Sequence, residues 1–417
     1  MRPCLNARGS TSAIEEHSFP WMGLPNQSLN WPGRLSRMLD HAWQSGLARR
    51  PELRAESIIA RAVAREGRFP SPGPWSGRLE RLCGALEGEA RLNPLGRTIA
   101  YGQLVRLVRA RIRAERLRDA HPEIDCRDIL QPVFLLGQMR SGTTRMHRLL
   151  ACDRHFAVNR LFEQLEPVPP SGPIDPRPAK AALAAAMLRR LNPSLAAIHP
   201  TGAFAVEEDF GLHAYSIWGA MFEGQWLIPS FAEFVEQADA SDAYAEFAGL
   251  LRLSGWRRGH EADRRWLLKA PQFSQDVDAL LEQFPDARLI VLRRCDEQVV
   301  ASAASLVWNH AKLQSDHVTA RAIGAEWLRK TRLRADRLDA ALASHPHVPT
   351  VSLDFDEVSR DWRSAVSQVY ALIGRKLEPA TEARMARYIK SSKLHHGHRY
   401  SLEEFGLDRR QVRDAFA

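Results

Sequence analysis

The chain of 417 residues carries 58 Lys or Arg against 49 Asp or Glu, a formal net charge of +9. That length allows one large domain with an appendage or two domains. The balance favours anionic partners, but no basic run is long enough to serve as a nucleic-acid arm, so no nucleic acid is expected. Cys4, Cys83, Cys126, Cys152 and Cys295 lack paired or C-x-x-C spacing, which argues against zinc and for a reducing compartment. No apolar run approaches the roughly 18 to 20 residues of a membrane helix, and the N-terminus lacks a signal peptide's apolar core. A cytoplasmic protein is expected.

Residues 1–30 are polar, carry Pro, Gly and Ser and show no period, which predicts a disordered tail. From Pro32 the pattern turns helical. Leu35, Met38, Leu39 and Trp43, then Ile58 to Val63, Leu79 to Leu86 and Ile99 to Leu117 recur at helical spacing. They predict four helices in an N-terminal helical region over 31–125, their Leu and Trp stripes serving as core.

The stretch from Pro132 to Ala151 changes register. Val133 to Leu136 are apolar without alternation, as in a strand buried on both faces of a parallel sheet. A glycine-bracketed turn, Gly137 to Thr144, leads into Met146, Leu149 and Leu150 at helical spacing. Strand, Gly-rich turn and helix start make a P-loop-like phosphate cradle, in which backbone N–H groups and the positive helix end converge on an anion. The spacing fits G-x-x-x-x-G-K-[ST] except that Thr143 stands where the lysine belongs. Without that lysine the loop is poorly equipped for a triphosphate. Arg140 with the Thr143 and Thr144 hydroxyls suits one phosphate bearing an attached group.

Beyond the cradle, Ala157 to Leu161 is a second predicted strand, followed by Phe162, Glu163 and the proline-rich loop PVPPSGPIDPRP. Stiff loops at strand ends are where α/β proteins place substrate contacts. Ala181 to Leu191 is helical. Glu207, Glu208 and Asp209 open an aromatic-rich helix with Phe210, His213, Ile217 and Met221 on one face, within a helical insertion over about 180–256. Trp266 to Leu268 is then a strand ending in Lys269, Val277 to Phe284 a helix, and Arg288 to Leu292 a buried strand ending in Arg293 and Arg294. Residues 318–343 form a long basic helix, Val348 to Phe355 a strand, and Trp362 to Ile373 a helix. Strands alternating with helices predict a three-layer α/β sandwich around a parallel, doubly wound sheet.

Five stretches in order, GQMRSGTT, FEQLEPVPP, WLLKAPQF, FPDARLIVLRRCDEQVVAS and HHGHRYSLEEFGLD, resemble the bacterial branch of the sulfotransferase family over roughly residues 130 to 415. Those enzymes move a sulfuryl group from 3′-phosphoadenosine 5′-phosphosulfate to an acceptor, and the resemblance implies a sulfotransferase α/β domain over 130–417. It assigns Arg140, Ser141, Gly142, Thr143 and Thr144 to the 5′-phosphosulfate loop and Arg294 with Ser302 to the 3′-phosphate. Lys269 matches a lysine near the bridging oxygen, and Glu163 a carboxylate used as base. The chain departs from the family pattern in three places. Arg294, Cys295 and Asp296 stand where the family usually has Arg-Asp-Pro, Phe273 replaces a frequent histidine, and Phe162 a common tryptophan.

Catalysis is thus expected from Glu163, Lys269 and Arg140, without metal. Glu208 is the rival base, although a helix cap explains an acidic triplet equally well. His395, His396 and His398 lack companion cysteines and read as a cofactor-covering loop. The expected acceptor is a small alcohol or phenol, hydrophobic in view of the aromatic residues between Phe204 and Trp226. The alternatives are a P-loop kinase, which would need the missing loop lysine and Mg-binding carboxylates, and a non-catalytic nucleotide-binding protein.

Overall fold

Val133–Gly137 (β1) is buried at every position, as its unbroken apolar run requires. It is the middle strand of a five-stranded sheet ordered β2-β3-β1-β4-β5, with β2 at Phe156–Ala157, β3 at Arg265–Lys269, β4 at Arg288–Arg293 and β5 at Thr350–Asp354. All pairings are parallel, and Leu135 lies between Lys269 and Ile290. The structure, a computed structural model, describes residues 31–170, 172, 174–259, 264–392 and 400–417. The expectations for the 1–30 tail and for His395, His396 and His398 lie outside the described residues.

The two-residue period of the strands divides the core. Phe134, Leu136, Leu268, Leu289 and Val291 face one layer, and Val133, Leu135, Leu267, Ile290 and Leu292 the other. Before the sheet come helices α1 (Trp31–Gln44), α2 (Ala55–Glu66), α3 (Pro74–Gly88) and α4 (Pro94–Ala120), the four that the spacing predicts. After β1 follow α5 (Thr143–Leu150), α6 (Leu161–Leu165), α7 (Arg177–Leu191), α8 (Pro193–Ile198), α9 (Phe210–Ala214), α10 (Ala220–Glu223), α11 (Pro229–Gln237) and α12 (Ser241–Arg257). Helix α13 (Val277–Gln283) joins β3 to β4, and α14 (Asp296–Gln314) and α15 (Ala320–Ser344) precede β5. Finally α16 (Phe355–Arg360), α17 (Trp362–Leu372), α18 (Pro379–Ser392) and α19 (Arg409–Ala415) complete the described chain. Side chains of α5, α17 and α18 pack on the Leu135 face, and those of α2, α3, α4, α12 and α13 on the Phe134 face, which gives three layers.

Two predicted elements differ. The strand expected over Ala157 to Leu161 pairs only at Phe156 and Ala157. Leu161 already opens α6, because the Glu163 carboxylate accepts the Arg160 backbone N–H at 2.9 Å and turns the chain into a helix. The helix expected from Phe210 to Met221 ends at Ala214. Ile217 takes φ 51° and Gly219 φ 90°, so α10 restarts in a new direction.

Phe134 packs edge-on to Phe273 at 5.0 Å between ring centres and against Phe284 at 5.3 Å, joining β1 to the connection after β3 and the end of α13. Phe134→Ala is expected to destabilise the protein by about 3–5 kcal/mol, read as a lower urea midpoint at unchanged slope.

Candidate active site

The carboxyl ends of β3, β1 and β4 lie side by side, and each delivers a polar group to the same edge. From β1 comes the loop. Gly137 sits at φ 134°, and a Cβ there would lie 2.4 Å from the Leu292 carbonyl oxygen of β4. Gly142 has φ 98°, and its Cβ would lie 2.4 Å from the Phe355 ring. Only glycine fits either place. Between them Arg140 holds the left-handed φ of 75°, which turns the backbone over the helix start. Helix α5 begins at Thr143 with no side-chain cap, so its first-turn N–H groups point at the loop. Ser141 is fully buried, and its Oγ has no hydrogen-bond partner among the described residues. An oxyanion in the loop would meet that hydroxyl, the free N–H groups and the helix dipole together.

From β4 comes the second cation. Arg294 donates through Nη1 to the Arg140 carbonyl oxygen at 3.0 Å and through Nε to Gln298 at 2.9 Å, while its guanidinium lies 4.2 Å from the Phe355 ring centre. Phe355 therefore props both Gly142 and Arg294. Arg140 in turn donates through Nε to the Ser302 hydroxyl at 3.1 Å, so loop, strand end and α14 converge. Arg293, one residue earlier, points elsewhere and pairs with Asp339 at 2.5 Å on the surface. Burial lowers the pKa of Arg140, and its like-charged neighbour Arg294 adds to the effect.

From β3 comes Lys269, 2% exposed. Its ammonium contacts the Glu208 carboxylate and lies 3.3 Å from the Thr144 hydroxyl, which donates to Glu208 at 3.0 Å. Burial lowers the Lys269 pKa against the opposing pull of Glu208. Burial also opposes ionisation of Glu208, yet the Lys269 charge keeps that carboxyl below its ordinary value.

Asp209 fixes this arrangement. Its carboxylate accepts the Lys269 backbone N–H at 2.7 Å, the Asn159 amide at 2.7 Å and the Gln164 amide at 3.0 Å, and its own N–H donates to the Lys269 carbonyl at 2.8 Å. The acidic triplet is thus more than a helix start. Glu207 faces Arg148, His199 and Thr201 at 2.7–2.8 Å; although burial opposes it, these partners bring its carboxyl down to about 2.

Beside Glu208 lies a cavity of about 240 Å³ with apolar walls that include Met139, Leu165, Phe210, Met221 and Leu306. Gln164 and His310 also line it. Burial brings His310 down to about 4, leaving a neutral imidazole at neutral pH.

Of the residues singled out from sequence, the structure brings together Arg140, Ser141, Gly142, Thr143, Thr144, Lys269, Arg294 and Ser302. Glu163 is not among them. Its carboxylate pairs with Arg258 at 2.5 Å and caps α6, and it does not line the cavity, whereas Glu208 does. Sequence reasoning missed Asp209's clamp, Phe355 and His310. Only His310, two turns beyond Ser302 on α14, had a signal in its helical spacing. Among the described residues no group of three or more His, Cys, Asp or Glu is arranged to hold a metal.

The model described as "Sulfotransferase family" matches residues 132–379. No curated protein sequence matches the chain. The fold is similar to the crystal structure of sulfotransferase STF1 from Mycobacterium tuberculosis, with a TM-score of 0.78 and 25% identity over 88% of this chain and 100% of that one. It is also similar to sulfotransferase STF9 from Mycobacterium avium, with a TM-score of 0.77 and 21% identity over 87% of this chain and 95% of that one.

Burial raises the Asp209 carboxyl to about 7 against the pull of its three donors, above the ordinary 3.8. Between those two values the folded chain holds a proton that the unfolded chain has lost, so this group's contribution to stability falls as pH rises through that window. The melting temperature of the wild type relative to Asp209→Asn should therefore rise as pH falls from about 8 to about 4; a constant difference would contradict this.

Proposed function

From the premise that this chain belongs to the sulfotransferase family, we propose that it transfers the sulfuryl group of 3′-phosphoadenosine 5′-phosphosulfate to the hydroxyl of a small hydrophobic alcohol or phenol, with Glu208 as the base. The observation that carries this reading is the contact of Glu208 with Lys269 and Thr144, at the first turn of the loop helix and on the wall of an apolar cavity. One end of that contact belongs to the anion cradle and the other to the acceptor space.

The cradle fits the donor. Ser141 Oγ lacks a partner among the described residues, and the first-turn N–H groups of α5 are uncapped, so the 5′-phosphosulfate would satisfy both. Arg294 and Ser302, together on the far side of Arg140, would take the 3′-phosphate. Thr143 in place of the triphosphatase lysine leaves a kinase without its contact to the β- and γ-phosphates.

In the reaction the acceptor oxygen attacks sulfur, and the bond from sulfur to the bridging oxygen breaks with its electron pair on the leaving 3′,5′-bisphosphate. The hydroxyl proton passes to Glu208. Lys269 and Arg140 stabilise negative charge on the transferred group and on the leaving phosphate, in a site where burial strengthens each interaction. Glu163, neutralised by Arg258, serves to cap α6. The apolar walls exclude a charged glycan and accept a ring or short chain.

Calorimetry should show micromolar binding of 3′-phosphoadenosine 5′-phosphate without metal, tighter than that of MgATP, and Arg294→Ala should weaken it by about 2 kcal/mol while Arg293→Ala leaves it near wild type. The reverse order of affinities would favour a kinase or nucleotide-binding module.

With an acceptor found by screening hydrophobic alcohols and phenols, Glu208→Gln should lower turnover by roughly 10² to 10⁴ while the bisphosphate affinity holds. Glu208 ionises below its ordinary 4.5, and Lys269 loses its proton below its ordinary 10.5, so the acid-side fall in turnover should lie below pH 4.5 and the alkaline fall should come before pH 10.5. A far larger loss in His310→Ala or Glu163→Gln than in Glu208→Gln would move the base to that residue.

A further inference from the structure

Four of the nine large apolar side chains exposed among the described residues, Trp31, Met38, Leu183 and Met187, stand on just two helices, α1 and α7. They form one surface. On α7, Leu183, Met187 and Arg190 follow at intervals of four and three and share a helix face. The Arg190 guanidinium lies 5.0 Å from the ring centre of Trp31, which hands the stripe over to α1. There Trp31, Arg34 and Met38 again share a face. Leu183 is 62% and Met38 68% exposed, too open to count as the edge of a core.

The charge on these two helices is almost all of one sign. From residue 176 to residue 206 there is no Asp or Glu, and the single carboxylate on α1 is Asp40. Arg34, Arg37, Arg189 and Arg190 make no ion pair among the described residues. A second copy of the chain docked here would set arginines against arginines with almost no carboxylate to separate them. An anionic surface would meet both features at once, because its headgroups pair with the guanidinium groups while Trp, Leu and Met side chains enter the acyl boundary. No helix among the described residues is long and apolar enough to cross a membrane, so contact of this kind lies in the interface plane.

We propose that the α1 and α7 face, centred on Leu183, Met187, Arg190 and Trp31, docks the protein on an anionic lipid surface. Helix α7 packs on α6, which contributes Leu161, Gln164 and Leu165 to the wall of the apolar cavity, so the docked face would stand one helix away from that cavity. The inference is independent of the reaction proposed above.

A chain of net charge +9 adsorbs to anionic vesicles to some extent by charge alone, so the apolar residues decide the test. The full chain is sedimented with phosphatidylcholine vesicles and with phosphatidylcholine–phosphatidylglycerol vesicles at physiological ionic strength. The wild type should partition onto the anionic vesicles and not the neutral ones. Leu183→Ser with Met187→Ser should lower that partitioning about tenfold or more, and Arg189→Gln with Arg190→Gln should lower it and flatten its salt dependence. Both variants should keep the wild-type melting temperature and affinity for 3′-phosphoadenosine 5′-phosphate, so that a loss of fold or of nucleotide binding is told apart from a loss of docking. The proposal is overturned if the wild type does not partition, or if the Leu183 and Met187 variant partitions as the wild type does. It is also overturned if the wild type sediments as a dimer that this variant dissociates, which would assign the face to a second copy of the chain.

Discussion

The carboxylate of Asp209 accepts three N–H groups from three different segments, the end of β3, the turn after β2 and helix α6. Two of the donors belong to pieces of the site. The β3 donor is the backbone of Lys269, the α6 donor is Gln164 on the cavity wall, and the residue before Asp209 is Glu208, which contacts the Lys269 side chain. With its own N–H bonded back to the Lys269 carbonyl, Asp209 runs beside the strand end as a further rung. The relative placement of Glu208 and Lys269 thus rests on a backbone–backbone hydrogen bond and a backbone N–H held by the Asp209 carboxylate, not on two flexible side chains finding each other.

That placement matters because the charges at the strand ends are held in a medium that does not favour them. Burial lowers the pKa of Lys269 and Arg140, and it opposes ionisation of Glu208, which the Lys269 charge and then that of His199 favour. Such groups gain from any incoming anion or leaving charge far more than surface residues would. Buried charge recurs where Lys330 contacts Glu223 and Glu236 at 2.6 Å, with Arg334 also on Glu223 and Arg329 on Glu236, and there it ties α15 to α10 and α11. That cluster joins helices, whereas the charges at the strand ends stand beside a loop and a cavity suited to a ligand.

The strands β1, β3 and β4 were legible because their apolar runs are unbroken, with cations at the ends of β3 and β4, and the cradle because glycines bracket a turn between strand and helix. Side-chain direction was not. Glu163 follows a strand as expected, but a single residue of helix onset at Leu161 points its carboxylate at Arg258 and away from the cavity. Ile217 and Gly219, both at positive φ, break a helix whose hydrophobic spacing looked continuous. Asp209, read from sequence as part of a helix start, finds its partners 60, 50 and 45 residues away in the chain. No local pattern encodes such distances; only the register of the sheet does.

The loop after β1 is closed from behind by Phe355, which packs on Gly142 and under Arg294. Arg140 meets Ser302 across 162 residues and Arg294 meets the Arg140 carbonyl across 154. During synthesis the cradle sequence is therefore made early and stays without its props until more than two hundred further residues have left the ribosome. The geometry of this loop therefore arises late in the making of such a chain, because the side chains that brace it are supplied long after it.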